Sequence, residues 1–247
     1  CPEDHPIHAW VSAAESLAST LTIQGLDQEL LNDDFLNTVF YPARMLCRLA
    51  QSLRLRSAIG GAAEQEFNHL LQRDSFYHAE YMLHIAHLIM HHGKVKVEVI
   101  PLARTATPDL VIPSERYCIE CTARSSRPAT ASIVDDFVHA DKKFAAYLKD
   151  KPEFRGVLAV DYGYFGSPEF PNTGKEGPGF ASETADINSN FDLYQNVYCV
   201  ATTMTAVRLV DRSYLSTSIN VAAKYQSTAK ELIPSIGKTF RHWRKPT

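Results

Sequence analysis

Two acidic residues stand where a sheet would not ordinarily place them. Asp109 opens the apolar run Pro108-Asp109-Leu110-Val111-Ile112, and Glu120 lies inside Tyr117-Cys118-Ile119-Glu120-Cys121-Thr122. Carboxylates are poor strand formers and cost free energy when half-buried, so something must offset that cost. The two runs are joined by Pro113, Ser114, Glu115 and Arg116, which suits a β-hairpin with one acid on each arm. Glu120, Thr122 and Cys118 share a strand face, because side chains alternate along a strand. Two neighbouring carboxylates with no cation repel, and one stays protonated. Mg²⁺ or Mn²⁺ would accept both, together with water and a phosphate oxygen. Such an ion polarises a phosphoryl oxygen and acidifies a water, the chemistry of phosphodiester hydrolysis. The plainer alternative is that Asp109 is a turn residue and Glu120 lies on a solvated strand face.

A second constellation is helical. Glu80, His84, His87 and His91 fall at i, i+4, i+7 and i+11, one stripe of a helix, while Tyr81, Met82, Ile85, Leu88 and Ile89 take the opposite side. Three readings stand: a solvated face, a wall of a substrate groove in which His84 and His87 touch phosphates, or zinc on His87 and His91 with no third ligand in view. Cys118 and Cys121 form a lone CxxC, but residues three apart on a strand point to opposite faces, which argues against a shared metal or redox role.

The elements that must position these residues follow from periodicity. Residues from about Ala9 to Leu71 read as helical, with breaks near Pro42 and at Gly60-Gly61. Asp74 or Ser75 caps a helix running to His92, with Gly93 as its stop. Lys94 to Ile100 alternates as a half-exposed strand, and the two acidic strands come next. Ala131 to Lys149 is an amphipathic helix carrying Lys142 and Lys143, and Gly156 to Tyr162 is a short apolar run expected of a buried strand. Gly163 to Asn190 is a long Gly/Pro/Ser/Asn-rich loop. Phe191 to Val210 suits a helix followed by a strand, with the boundary open. The expected organisation is a helical N-terminal extension over 1–74 and an α/β domain over 75–247.

That order, with Glu80 on the helix, Gly93 before the first strand, Pro108-Asp109 at the second and Glu120-Cys121-Thr122 on the third, resembles the PD-(D/E)xK nuclease superfamily over about residues 75 to 162. The resemblance implies a restriction-endonuclease-like fold, a mixed four-stranded sheet flanked by helices. It also implies a Mg²⁺- or Mn²⁺-dependent nuclease acting on DNA or RNA, with Asp109 and Glu120 as metal ligands and Glu80 supporting the site. Thr122 stands where the family has lysine. In related families that lysine has moved to the following helix, and Lys142 or Lys143 would then supply it. The competing reading is a catalytically silent domain that binds nucleic acid or a partner protein. Restriction or defence is the setting suggested by the fold analogy.

Composition sets bounds on these readings. With 247 residues, 45% hydrophobic and 21% charged, and a net charge of -3, the chain has ample material for a core and no global basic footprint. Contacts to nucleic acid must come from local patches: Arg124 and Arg127 after the second acidic strand, the Lys142 to Lys151 segment, and the basic C-terminal run. Five scattered cysteines suggest reduced thiols and a cytoplasmic setting. No run approaches the ~20 apolar residues of a membrane span, so no membrane partner is expected. Assembly as a homodimer or within a larger complex stays open. The chain begins at Cys1, so a leading segment is expected to precede it.

Overall fold

The computed structural model describes residues 3–23, 35–54, 58–61, 63–70, 72, 75–100, 107–123, 133–164, 187, 189–207 and 215–223. The expected sites Arg124 and Arg127, most of the 163–190 loop and the basic C-terminal run lie outside them.

Helix α1 spans Pro6–Ile23, and a π-helical turn at Leu36–Phe40 leads into α2, Tyr41–Leu53, with Pro42 in its first turn. Residues 35–53 are helical without interruption, so the break expected near Pro42 is a change from π- to α-helical winding. Strand β1, Gly60–Gly61, is followed by α3, Ala63–His69, and α4, Phe76–Leu88. Ser75 occupies the cap position of α4 but donates its hydroxyl to the His69 carbonyl at 3.0 Å. A π-turn, Ile89–Gly93, extends α4, and Lys94 rather than Gly93 takes the left-handed conformation that ends it (φ 59°).

Strands β2 (Glu98–Val99), β3 (Leu110–Ile112) and β4 (Tyr117–Ala123) then form an antiparallel meander. Helix α5, Ile133–Asp150, crosses back so that β5 (Arg155–Tyr164) runs parallel to β4. Strand β6 (Val197–Val207) is parallel to β5, and β7 (Leu215–Ala223) is antiparallel to β6. The α/β class is thus as expected. The sheet, however, has seven strands among the described residues, in sequential order, where four were expected. The Gly60-Gly61 break is itself a short strand paired parallel to β2, and β6 and β7 extend the far side. Residues 189–191 are helical, so of the described residues in the 191–210 segment only Phe191 is helical, and β6 begins at Val197.

The sheet is covered on both faces. On one, Tyr81, Leu83 and Ile85 of α4 pack on Ile119, Cys121, Val157, Ala159 and Cys199; Trp10, Met45, Leu49, Phe67 and Leu70 from the N-terminal helices join the same core. Among the described residues, the N-terminal helices thus contribute side chains to the same core as α4 and the sheet. On the other face, Phe137, Ala140 and Phe144 of α5 pack on Cys118, Leu158, Val160 and Val200. Burial on both sides explains why β5 reads as a continuous apolar run. Cys118 and Cys121 fall on opposite faces, and burial pushes the Cys118 thiol up to about 12, so neither redox nor metal chemistry is shared between them.

Gly156 sets how closely α5 approaches. A Cβ there would lie 2.4 Å from the Asn196 carbonyl oxygen and 2.4 Å from the Phe144 ring. Gly156→Ala is expected to destabilise by about 1–3 kcal/mol through overpacking, read as a lower urea midpoint at unchanged slope. An unchanged midpoint would mean that α5 can shift freely.

Candidate active site

The β3–β4 register pairs Leu110 with Ile119 and Val111 with Cys118, which brings Asp109, just before β3, beside Glu120. The Asp109 backbone is held on both sides: its N–H donates to the Ile119 carbonyl (2.9 Å) and its carbonyl accepts from Ile100 N–H (2.9 Å). Its side chain is fixed as well, because Oδ2 accepts a hydrogen bond from the Cys121 N–H at 2.7 Å. Oδ1 is left facing outward from that bond, 3.4 Å from His78 Nε2 and 3.7 Å from Lys143 Nζ.

Glu120 points to the α5 face. Its Oε1 accepts from Lys143 Nζ at 2.6 Å and lies 3.6 Å from His139 Nε2. Its Oε2 is buried and, among the described residues, has no hydrogen-bond partner. A buried carboxylate oxygen without a donor is costly, and such exceptions are concentrated at functional sites and at positions for an ion or water. The carboxylates of Asp109 and Glu120 are 4% and 2% exposed, whereas the His78 and His139 side chains are 40% and 65% exposed. The acids therefore lie at the bottom of the site and the imidazoles at its mouth.

Of the two lysines, only Lys143 turns inward; Lys142 is exposed. Adjacent helical residues differ by ~100°, so one helix could offer only one of them. Among the described residues, the site gathers one ammonium for two carboxylates. Burial first, and then the charge of Asp109, push the Glu120 carboxyl up to about 8, against the opposing pull of Lys143 and His78. Burial would lower the Lys143 pKa, but the charges of Asp109 and Glu120 outweigh it and raise it. Glu120 thus holds its proton to higher pH than an ordinary carboxyl.

This gives a signed pH dependence. Glu120 holds its proton in the folded chain over a range where the unfolded chain has lost it, from an ordinary value near 4.5 to about 8. Folded protein then binds more protons than unfolded, and stability falls as pH rises through that window. His78 acts in the same direction: burial lowers its pKa, but the hydrogen bond and charge of Asp109 and the charge of Glu120 leave it raised above 6.5. Glu120→Gln, neutral at every pH, is expected to flatten the decline in melting temperature between pH 5 and pH 8.5. An identical slope in both proteins would show that the pair does not hold the proton.

The resemblance implied Glu80 as support for these acids, but the structure gives it another partner. Arg48 of α2 binds it in a fork, Nε to Oε1 at 2.7 Å and a terminal nitrogen to Oε2, and the same guanidinium reaches Asp161 Oδ2 at 2.9 Å. Thr203 donates to Asp161 Oδ1 at 3.3 Å and lies 3.1 Å from the Tyr81 hydroxyl. Asp161 continues the Val157 and Ala159 side of β5, so this network belongs to the α4 face of the sheet, while Glu120 belongs to the α5 face. The α4 residue that meets the acids is His78, two positions and about 200° away from Glu80 around the helix.

The histidine stripe is also placed differently from a groove wall. His84 is 3% exposed, and among the described residues neither ring nitrogen has a partner. Burial, then the charges of Arg48, His87 and Arg44, keep it neutral well below the usual range. His87 is half-buried and stacks on His91, with ring centroids 5.5 Å apart. The Glu80 and His84 end of the stripe lies against Arg48 of α2 and is buried, while His91 is exposed; periodicity could not reveal this because α4 is apolar on its other side too. His78, His139 and Arg48 were missed. His139 and Lys143 are four apart on α5, a spacing that could have flagged the first; for His78 and Arg48 the sequence carried no comparable signal.

Among the described residues, no three His, Cys, Asp or Glu side chains stand ready to hold a metal together. A carboxylate pair is nevertheless what Mg²⁺ commonly takes from protein, with water completing the shell. Glu120 Oε2, without a partner among the described residues, fits such an ion. Comparison of the chain with protein-family models, curated proteins and solved structures gives no match.

Proposed function

We propose that the chain is a metal-dependent nuclease built on a restriction-endonuclease-like core, acting on DNA, with RNA as the second candidate. The observation that carries this reading is the Asp109–Glu120–Lys143 cluster: two buried carboxylates, one of them with an orphaned oxygen, and a lysine delivered from the next helix at 2.6 Å. The succession α4, β2, β3, β4, α5, β5, with an antiparallel meander and then a parallel strand, supports the fold assignment.

Asp109 Oδ1 and Glu120 would hold Mg²⁺ or Mn²⁺, which when bound supplies charge at a phosphoryl oxygen and makes a water more acidic. Asp109 is kept in place by the Cys121 N–H, so one ligand is preorganised. Lys143 supplies the positive charge that Thr122 cannot. Its four-carbon stem lets the ammonium reach from α5 to a water or a phosphate oxygen once a metal neutralises the acids. Burial of both carboxylates limits water at the site and strengthens each charge interaction.

Purified protein with Mg²⁺ or Mn²⁺ is expected to cut DNA or RNA, and EDTA, Asp109→Asn and Glu120→Gln are each expected to abolish cutting. Thr122, in place of the family's lysine, favours the silent binding module as the rival. That rival requires the same two substitutions to leave nucleic-acid affinity equal or higher, since removing negative charge reduces repulsion with phosphate. No cleavage by the wild type, with affinity raised in both variants, would replace the nuclease by the binder.

A further inference from the structure

We infer that His84 is an acid-sensitive latch: while neutral it lets α2 dock on α4, and its protonation opens that contact. The latch is independent of whether Asp109 and Glu120 hold a metal.

His84 is 3% exposed, and among the described residues neither of its ring nitrogens has a hydrogen-bond partner. A neutral imidazole bears such burial at modest cost, whereas an imidazolium there needs an acceptor or a counter-ion. Neither is in place. The charged groups that act on His84 are Arg48 and Arg44 from α2 and His87 one turn further along α4, and each when charged repels an imidazolium. Carboxylates are near but engaged: both oxygens of Glu80, one turn back, are bound by Arg48, and Asp161 pairs with Arg48 at 2.9 Å and with Thr203 at 3.3 Å. A proton on His84 would therefore place an unmatched cation in the contact between α2 and α4.

The sign of the response follows from linkage. Burial first, and then the charges of Arg48, His87 and Arg44, keep His84 neutral well below its ordinary 6.5, so the closed protein binds fewer protons than the opened one once pH falls below that value. The contact is fully stable above 6.5 and loses stability below it. His87 acts in the same direction, lowered by burial and then by His91 and His92. Glu80, Glu120 and His78 act oppositely, since all three are raised and acid favours the closed form through them. Opening is expected on one side of the sheet first. The other side has its own core, Phe137, Ala140 and Phe144 on Leu158 and Val160, and among the described residues α2 adds no buried side chain to it.

Hydrogen exchange of the full chain, corrected for the intrinsic effect of pH, tests the latch. In wild type, protection of α2 and α4 amides is expected to fall about 10-fold between pH 7.5 and pH 5.5, the effect of one proton taken up on opening, while α5 and β5 keep theirs. His84→Leu removes the titrating ring and should hold the same protection at both pH values; His87→Gln should keep most of the fall. Unchanged protection in wild type, or an equal fall in α5 and β5, would overturn the latch. So would a fall that persists in His84→Leu or disappears in His87→Gln. Should His84→Leu fail to fold at pH 7.5, NMR titration of the imidazole signals in wild type decides instead. A His84 ring that stays neutral until the α2 amides lose protection supports the latch, and one that gains its proton near pH 6.5 with α2 still docked overturns it.

Discussion

Lys143→Met is expected to lower phosphodiester cleavage by about 10²- to 10⁴-fold, the usual contribution of a positioned acid–base or charge-stabilising group. The substitution keeps the apolar stem, so the packing of α5 beside Phe144 and Ala140 should survive. Metal affinity should hold or rise, because an ammonium 2.6 Å from Glu120 competes with a cation for the same carboxylate. The combination of lost turnover with retained Mn²⁺ binding distinguishes a working lysine from a structural ion pair, for which removal would mainly cost stability. Thr122 lies two residues from Glu120 on the same strand face, so Thr122→Lys can be tested as a replacement. In the Lys143→Met background it should restore part of the activity; in the wild type it should add little, since the space is already served. Cleavage unchanged by Lys143→Met would remove this lysine from the mechanism. Cleavage and metal binding are measured on the same preparations.

Arg48→Met is expected to destabilise the fold by about 3–5 kcal/mol, because it leaves the buried carboxylates of Glu80 and Asp161 without the guanidinium that neutralises both. Burial raises the Glu80 pKa against the pull of Arg48, so loss of the arginine should drive proton uptake. The variant should accordingly recover part of its stability as pH falls, when protonation substitutes for the lost charge. Replacing the pair together, Arg48→Met with Glu80→Leu, should cost less than Arg48→Met alone, since paired removal leaves one fewer charge unmatched. Urea unfolding of the single and double variants decides this. An Arg48→Met protein within 1 kcal/mol of wild type would mean that water reaches the network. Arg48 also ties α2 to α4 and β5, and α4 in turn carries His78.

The sequence by itself determined the local matters. Alternation along the 117–123 run fixes that Glu120 and Cys121 face opposite ways, and the ~100° helical step fixes that Lys142 and Lys143 cannot both turn inward. Short-range patterning likewise placed α4, the acidic hairpin, α5 and β5, because period and turn chemistry act over a few residues. Which lysine meets the acids is not a local matter. It depends on how α5 settles on the sheet, and that contact is set by Phe137, Ala140 and Phe144 against β4 and β5, with Gly156 admitting the close approach.

The same distinction explains Glu80. Its stripe was legible, but its partner Arg48 is 32 residues away on α2, and nothing in either helix alone says that the two will meet. A buried carboxylate must take whatever cation the tertiary packing brings, and α2 brought one on the α4 face of the sheet. His78 was equally silent in sequence, a polar residue of the first turn of α4 that falls off the Glu80–His84–His87–His91 stripe. Only the placement of α4 against the start of β3 brings its ring to 3.4 Å from Asp109. Strand and helix faces were thus written locally, whereas the pairing of charges across elements was decided by the fold, because the energy of a buried charge depends on neighbours that are distant along the chain.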